Sequence, residues 1–212
     1  MKNLIKSALM LGFVLFVASC GKKETVDPAV GFTAAVQKVA PQATIDALRK
    51  LGMTINEGTV PPNVTGIFLE SPTILFATFT GDTKKVGDKV VDYTYKFFEP
   101  SSDNSTIKVS YKAGNGDSAN GLGSVVAGNG SKFTIFSELL ASNGNTYINI
   151  ISGEITSTGI KNWQDAYVNK AELEKNRIYS DGDGFSEIKT QFRLAAPSED
   201  EKNIVLSGKS GN

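Results

Sequence analysis

The chain has 212 residues, with 22 lysines and arginines against 22 acids, no histidine and one cysteine. Ser-His-Asp and Cys-His catalysis, and zinc sites built from histidine or cysteine, are excluded within this sequence. The length suits one domain with a conventional core, and the lack of a Lys/Arg-rich run argues against nucleic acid as a partner.

At the N-terminus, Lys2 and Lys6 precede an apolar run from Leu9 to Val17. That run is about half the ~20 residues of a membrane-spanning helix, so a secretory signal is expected rather than a spanning anchor. Small Ala18 and Ser19 then precede Cys20 and Gly21. This junction resembles the lipobox of bacterial lipoproteins. The resemblance implies cleavage after residue 19, lipidation of Cys20 and anchoring in a membrane, each buried CH₂ adding about 0.8 kcal/mol. The competing reading is an ordinary secretion signal with an incidental cysteine. By analogy, the absence of aspartate after the cysteine implies the outer membrane. The Lys22-Lys23-Glu24 run is similar to tags that send some lipoproteins to the cell surface, so the body would face the periplasm or the exterior. Loss of Lys2 and Lys6 leaves 20 basic residues against 22 acids, a formal charge of −2.

Residues 20–32 read as the lipidated cysteine and a polar tether. Residues 33–196 read as a single β-rich domain, and 197–212 as a loose tail with a short strand allowed at 203–206. Two short helices are expected first. One spans Thr33 to Ala40; Pro41 opens a second, whose Ile45, Leu48 and Leu51 form one apolar stripe ended by Gly52. Packing on a sheet is the plain role for such a helix, against contact with a membrane or partner.

The period changes to two from Thr59 onward. Strands are expected over 64–70, 73–80, 89–98 and 105–112. Tyr93, Tyr95 and Phe97 share one face, as do Ile107, Val109 and Tyr111. Such strands bury one face, as antiparallel sheets do. Further strands follow at 122–127, 132–140, 146–155, 160–168 and 185–194, joined by turns at Gly128-Asn129-Gly130, Asn143-Gly144 and Ser157-Thr158-Gly159. The fold class is therefore mainly β: an antiparallel meander closing as a β-barrel, or alternatively a two-sheet β-sandwich, with one or two short N-terminal helices. The early helix, Gly66-Ile67-Phe68 and the meander together resemble the layout of a lipocalin or calycin-type barrel. Phe68 stands where lipocalins carry tryptophan.

Several constellations could carry chemistry. Glu70, Asp92, Glu99, Glu138 and Glu154 lie on or near strands, and Glu138 with Glu154 on adjacent strands are the candidate pair for glycan hydrolysis. Asp181-Gly182-Asp183-Gly184 invites a Ca²⁺ loop with Asp181, Asp183 and Glu187, although the EF-hand register fails; an Asp-Gly turn is the alternative. The glycine-rich stretch 113–131 lacks a phosphate-binding pattern and reads as hairpin tips. Asp117-Ser118-Ala119 resembles an O-glycosylation triplet of some envelope proteins. Trp163 and Tyr167 share a strand face and, with Tyr93 and Tyr95, are the candidate ligand-binding aromatics; ordinary core is the alternative.

The expected function is a lipid-anchored cell-envelope protein that binds a small apolar molecule or a glycan without catalysis. A structural or protein-interaction component of the envelope surface is the second reading, and a carboxylate-based glycan hydrolase the third. The expected partners are thus the membrane through Cys20, and a small ligand, glycan or envelope protein.

Overall fold

A computed structural model describes residues 32–168, 172, 175–190 and 192. The lipobox with Cys20, the tether, residues 169–171, 173 and 174, the end of the strand expected over 185–194 and the tail lie outside the described residues.

The strands are β1 (Thr59–Val60), β2 (Gly66–Glu70), β3 (Thr73–Ala77), β4 (Tyr93–Phe98), β5 (Lys108–Ala113), β6 (Ser118–Asn129), β7 (Lys132–Ala141), β8 (Thr146–Ile155), β9 (Gly159–Val168), β10 (Arg177–Asp181) and β11 (Phe185–Ile188). They form a closed, eight-stranded antiparallel barrel, which decides between barrel and sandwich. The order runs β2-β4-β5-β6-β7-β8-β9, and β11 pairs with both β9 and β2 to close the ring.

Two of the eight staves are broken strands. β10 and β11 run in the same direction along one edge of β9, pairing first with residues 164–167 and then with 159–161. β2 and β3 run alongside them, β2 on β11 and β3 on β10. The break at Ser71-Pro72, a cis peptide, faces the break at 181–184. The Gly182 N–H donates to the Pro72 carbonyl at 2.7 Å, and the Ser71 N–H donates to Asp181 Oδ2 at 3.1 Å. At the closing pair, Gly159 has no Cβ, and one placed there would collide with the Ser186 carbonyl and the Phe185 ring.

The barrel interior is filled. Phe68, Phe97, Phe133, Ile135, Leu139, Ile151 and Trp163 are fully buried in one cluster with Tyr95 and Tyr111. Each such large side chain contributes about 1.5–3 kcal/mol of burial.

The helices α1 (Ala34–Val39) and α2 (Gln42–Lys50) pack on the outside. The Thr33 hydroxyl accepts the Val36 N–H to start α1, and Gly52, at φ +98°, follows the end of α2. Ile45 and Leu48 are buried against Phe136, Ile148, Ile150, Ala166, Val168 and Ile178, the outer face of β7–β10. This covered half explains why β7 and β8 read as near-continuous apolar runs, whereas β4 and β5 alternate.

One expectation needs correction, and one strand was not foreseen. The glycine-rich stretch 113–131 is mostly strand: β6 spans twelve of its residues. Gly121 and Gly123 flank a register shift against β7, and a Cβ at Gly128 would strike the Lys132 carbonyl. The strand β10 was not among those expected; it is paired on both edges.

Candidate functional site

One end of the barrel gathers every tyrosine of the chain. There are six, Tyr93, Tyr95, Tyr111, Tyr147, Tyr167 and Tyr179, on β4, β5, β8, β9 and β10. Antiparallel pairing brings the start of β4 beside the end of β5, and the start of β8 beside the end of β9. Small residues face large ones: Tyr93 lies opposite Ala113, and Tyr111 opposite Ala119. The rings interlock, with centroids 5.9 Å apart for Tyr93–Tyr167, 5.3 Å for Tyr147–Tyr167 and 6.3 Å for Tyr167–Tyr179. Such spacings suit edge-to-face and tilted contacts. Tyr95 and Tyr111 are buried, while Tyr93, Tyr147, Tyr167 and Tyr179 are half-buried and form a mouth.

All four aromatics singled out from the sequence are therefore brought together. Trp163 sits deepest, 5.0 Å from the Tyr95 ring and stacked on Phe97 at 6.1 Å. Its inward direction was ambiguous from alternation because Asn162 has φ +53°. That left-handed residue lets Ile160 and Trp163 both point inward, and Asp165 and Tyr167 follow the same face.

Beneath the tyrosines lie two buried carboxyl groups, Glu70 and Asp165. Tyr95 donates its hydroxyl to Asp165 Oδ2 at 2.9 Å and lies 2.6 Å from the Tyr167 hydroxyl. Asn149, which donates to the Ala166 carbonyl at 3.3 Å, also faces Asp165. Burial pushes the Glu70 carboxyl well above the usual range, and Asp165 and Asp181 push it further. Burial also raises Asp165, to about 6, opposed by the Tyr95 hydroxyl. Two carboxylates this close in an apolar barrel do not both ionise readily, so they hold a proton between them. The Trp163 indole bears on both carboxyls and Asn149 on Asp165, each opposing the upward shift. The sequence carried a signal for this pair, since Phe68-x-Glu70 and Trp163-x-Asp165-x-Tyr167 each place the acid on an aromatic face.

Around the mouth, a second hydroxyl pair, Tyr111 with Tyr147, leads outward, and Tyr111 donates to Asp117 at 3.1 Å. Arg177 grips Asp82 of the β3–β4 loop with two bonds, 2.6 and 2.7 Å. That fork holds the Asp82 carboxyl well below its usual range.

The other candidates are not assembled. Asp181 accepts from Ser71 N–H, the Ser186 hydroxyl and Asp183 N–H, all at 3.0–3.1 Å, so it organises the stave break. Glu187 is exposed and pairs with Lys189 at 2.6 Å. Among the described residues no three acids or cysteines are grouped to hold a metal, and Asp181, Asp183 and Glu187 form no cage for Ca²⁺. Glu138 stands opposite Ile148, and Glu154 opposite Lys132. Six residues of strand separate those positions, roughly 20 Å, against the roughly 5–9.5 Å a glycosidase pair needs. Asp92 accepts from Ser71 and Thr73, and Glu99 pairs with Lys108.

Outside the barrel, a groove of about 600 Å³ runs beside α1, with Lys38, Val39, Ile107, Lys108, Val125 and Glu138 among its lining. A smaller hollow of about 280 Å³ adjoins it at Phe32 and Thr33. Among the described residues no helix is long and apolar enough to cross a membrane.

Comparison with family models, with curated proteins and with solved structures finds no match.

Proposed function

We propose that this chain is a lipid-anchored protein of the outer membrane, held through Cys20, that binds a small apolar molecule or a glycan at the tyrosine mouth of its barrel without catalysis. The observation that supports it is the convergence of six tyrosines from five strands on one end, four of them half-buried. Aromatic faces with hydroxyl edges suit apolar rings and sugars alike. The body of the barrel is filled, so the ligand rests on the mouth and does not enter a deep cavity.

Native mass spectrometry of the full-length protein in detergent, offered lipid and glycan panels, tests the binding. A retained species whose affinity falls about fivefold in Tyr93→Ala or Tyr167→Ala, as the loss of one good aromatic contact of ~1 kcal/mol implies, is the expected result. An empty protein across both panels refutes the reading. The anchor has its own test: Cys20→Ser should release the protein from the membrane fraction.

The second reading, a structural or interaction component of the envelope surface, draws support from the groove beside α1. Crosslinking in cells from Lys38 that captures one stoichiometric partner would favour it.

A further inference from the structure

We infer that the trough beside α1 is filled by this chain's own tether: residues 26–30, just ahead of Phe32, lie extended along it with Val26, Pro28 and Val30 turned inward. The inference goes beyond ligand binding at the mouth and stands whether or not Cys20 carries lipid.

The first support is the trough itself. The groove and the smaller hollow share Ala35, Thr106 and Val125, so they form one channel along α1. Its apolar walls are open: Ala35 is exposed, and Val39 and Val125 are half-buried. It lies where β5 and β6 part. Their pairing lapses between Ser110–Asn120 and the isolated bridge Thr106–Val125. Gly123 sits in that gap, with nothing within 4 Å of where a Cβ would stand. An open apolar channel of this kind marks a surface that something covers.

The second support is where the chain enters. Phe32 and Thr33, which follow the tether directly, line the hollow. Phe32 is fixed there: its ring meets Phe136 edge-on at 5.3 Å and lies 5.3 Å beneath the Arg49 guanidinium. The tether therefore arrives at one end of the trough. Its charges Lys22, Lys23 and Glu24 lie near Cys20, whereas residues 26–30 read Val-Asp-Pro-Ala-Val. Pro28 confines Asp27 to extended backbone. Alternation then puts Val26, Pro28 and Val30 on one face, and Asp27 and Ala29 on the other. Gly31 supplies the reversal into α1. Asp27 is left at the rim, which carries the exposed Lys38. Five extended residues span up to about 17 Å, enough to pass the six residues of α1, about 9 Å long. A tether free from Cys20 to Phe32 reaches about 40 Å, and one seated from Val26 onward about 20 Å. Seating thus holds the α1 wall close to the anchoring membrane.

Disulfide mapping on the full-length protein in detergent tests this. Val26→Cys is combined in turn with Lys38→Cys, in the trough, and with Glu57→Cys. Glu57 stays near the tether's exit through its ion pair with Arg49 but lines neither cavity. Lys38 and Glu57 are both exposed, so neither substitution disturbs the core. Peptide mass spectrometry locates each bridge and tells apart any that involves Cys20. The Lys38 combination should close at least about tenfold faster than the Glu57 combination, because a seated segment offers its thiol at one place. Val30→Asp, which puts a charge on the seated face, should cut that ratio to about twofold or less. Equal rates without Val30→Asp, or a ratio that survives it, overturn the inference. A dominant bridge between two chains also overturns it and assigns the trough to a second copy. Faster closure of Lys38→Cys with Val205→Cys than with Val26→Cys overturns it in favour of the C-terminal segment, and stoichiometric crosslinking of Lys38 to a foreign protein in cells overturns it in favour of a partner.

Discussion

The two ends of the barrel share the same staves yet are filled with different chemistry. At the end formed by the starts of β7 and β9, Phe97, Val109, Val126, Phe133, Ile135, Ile151 and Ile160 close the interior with carbon alone. At the opposite end the same strands present tyrosines, two carboxyl groups and an asparagine. Trp163 marks the border, stacked on Phe97 on one side and tilted against Tyr95 on the other. An apolar plug suffices for stability, as the first end demonstrates. Buried acids cost stability, so their confinement to one end points to use.

The largest expected effect comes from the apolar end. Phe133→Ala should lose about 3–5 kcal/mol by cavity formation, read from denaturant midpoints, while ligand binding by the surviving folded fraction stays unchanged. Loss of binding without loss of stability there would erase the contrast between the ends.

The acid pair gives the next effect, and its sign is opposite. A carboxyl whose folded pKa exceeds its unfolded value weakens the fold as pH rises, because the folded chain retains a proton the unfolded chain has shed. The contribution of Asp165 is therefore lost between about pH 4 and about pH 6, and Glu70 extends the decline above that. Glu70→Gln should stabilise the protein at pH 7.5 by about 1–3 kcal/mol and flatten the slope from pH 5 to 8. A destabilised variant with an unaltered slope would mean that Glu70 does not carry the proton.

Tyr95→Phe should cost less, about 1–2 kcal/mol for the lost bond to Asp165, and should move the midpoint of the pH slope upward. The smallest effect belongs to the half-buried rim. Tyr147→Phe should change stability by no more than about 1 kcal/mol while altering ligand affinity, sharpening the division between holding the fold and holding a ligand.

Much of this was visible in the sequence because alternation is a local signal. Tyr93, Tyr95 and Phe97 share a face by spacing alone, and Ile45 with Leu48 likewise announced the face of α2 that packs. Closure was not local. It depends on β11 pairing with β9 and β2, across gaps of about 25 and 120 residues. Only 122–127 of β6 was legible, because glycine is normally depleted in strands, yet here its missing side chain admits a neighbouring backbone. β10 was hidden because Arg177 and Asp181 look like loop residues, while one clamps Asp82 and the other secures a break. Spacing put each acid on an aromatic face, but which way that face of β9 points was set by the left-handed backbone of Asn162.

The hydrogen bonding of β2 to β11 makes the first and last broken staves neighbours. Chain order around the circumference thus has no privileged starting point: a polypeptide cut at the Asn143–Gly144 tip and rejoined across that junction would meet the same neighbours in the same sequence. The barrel is cyclic in its contacts, whatever residue the numbering counts from.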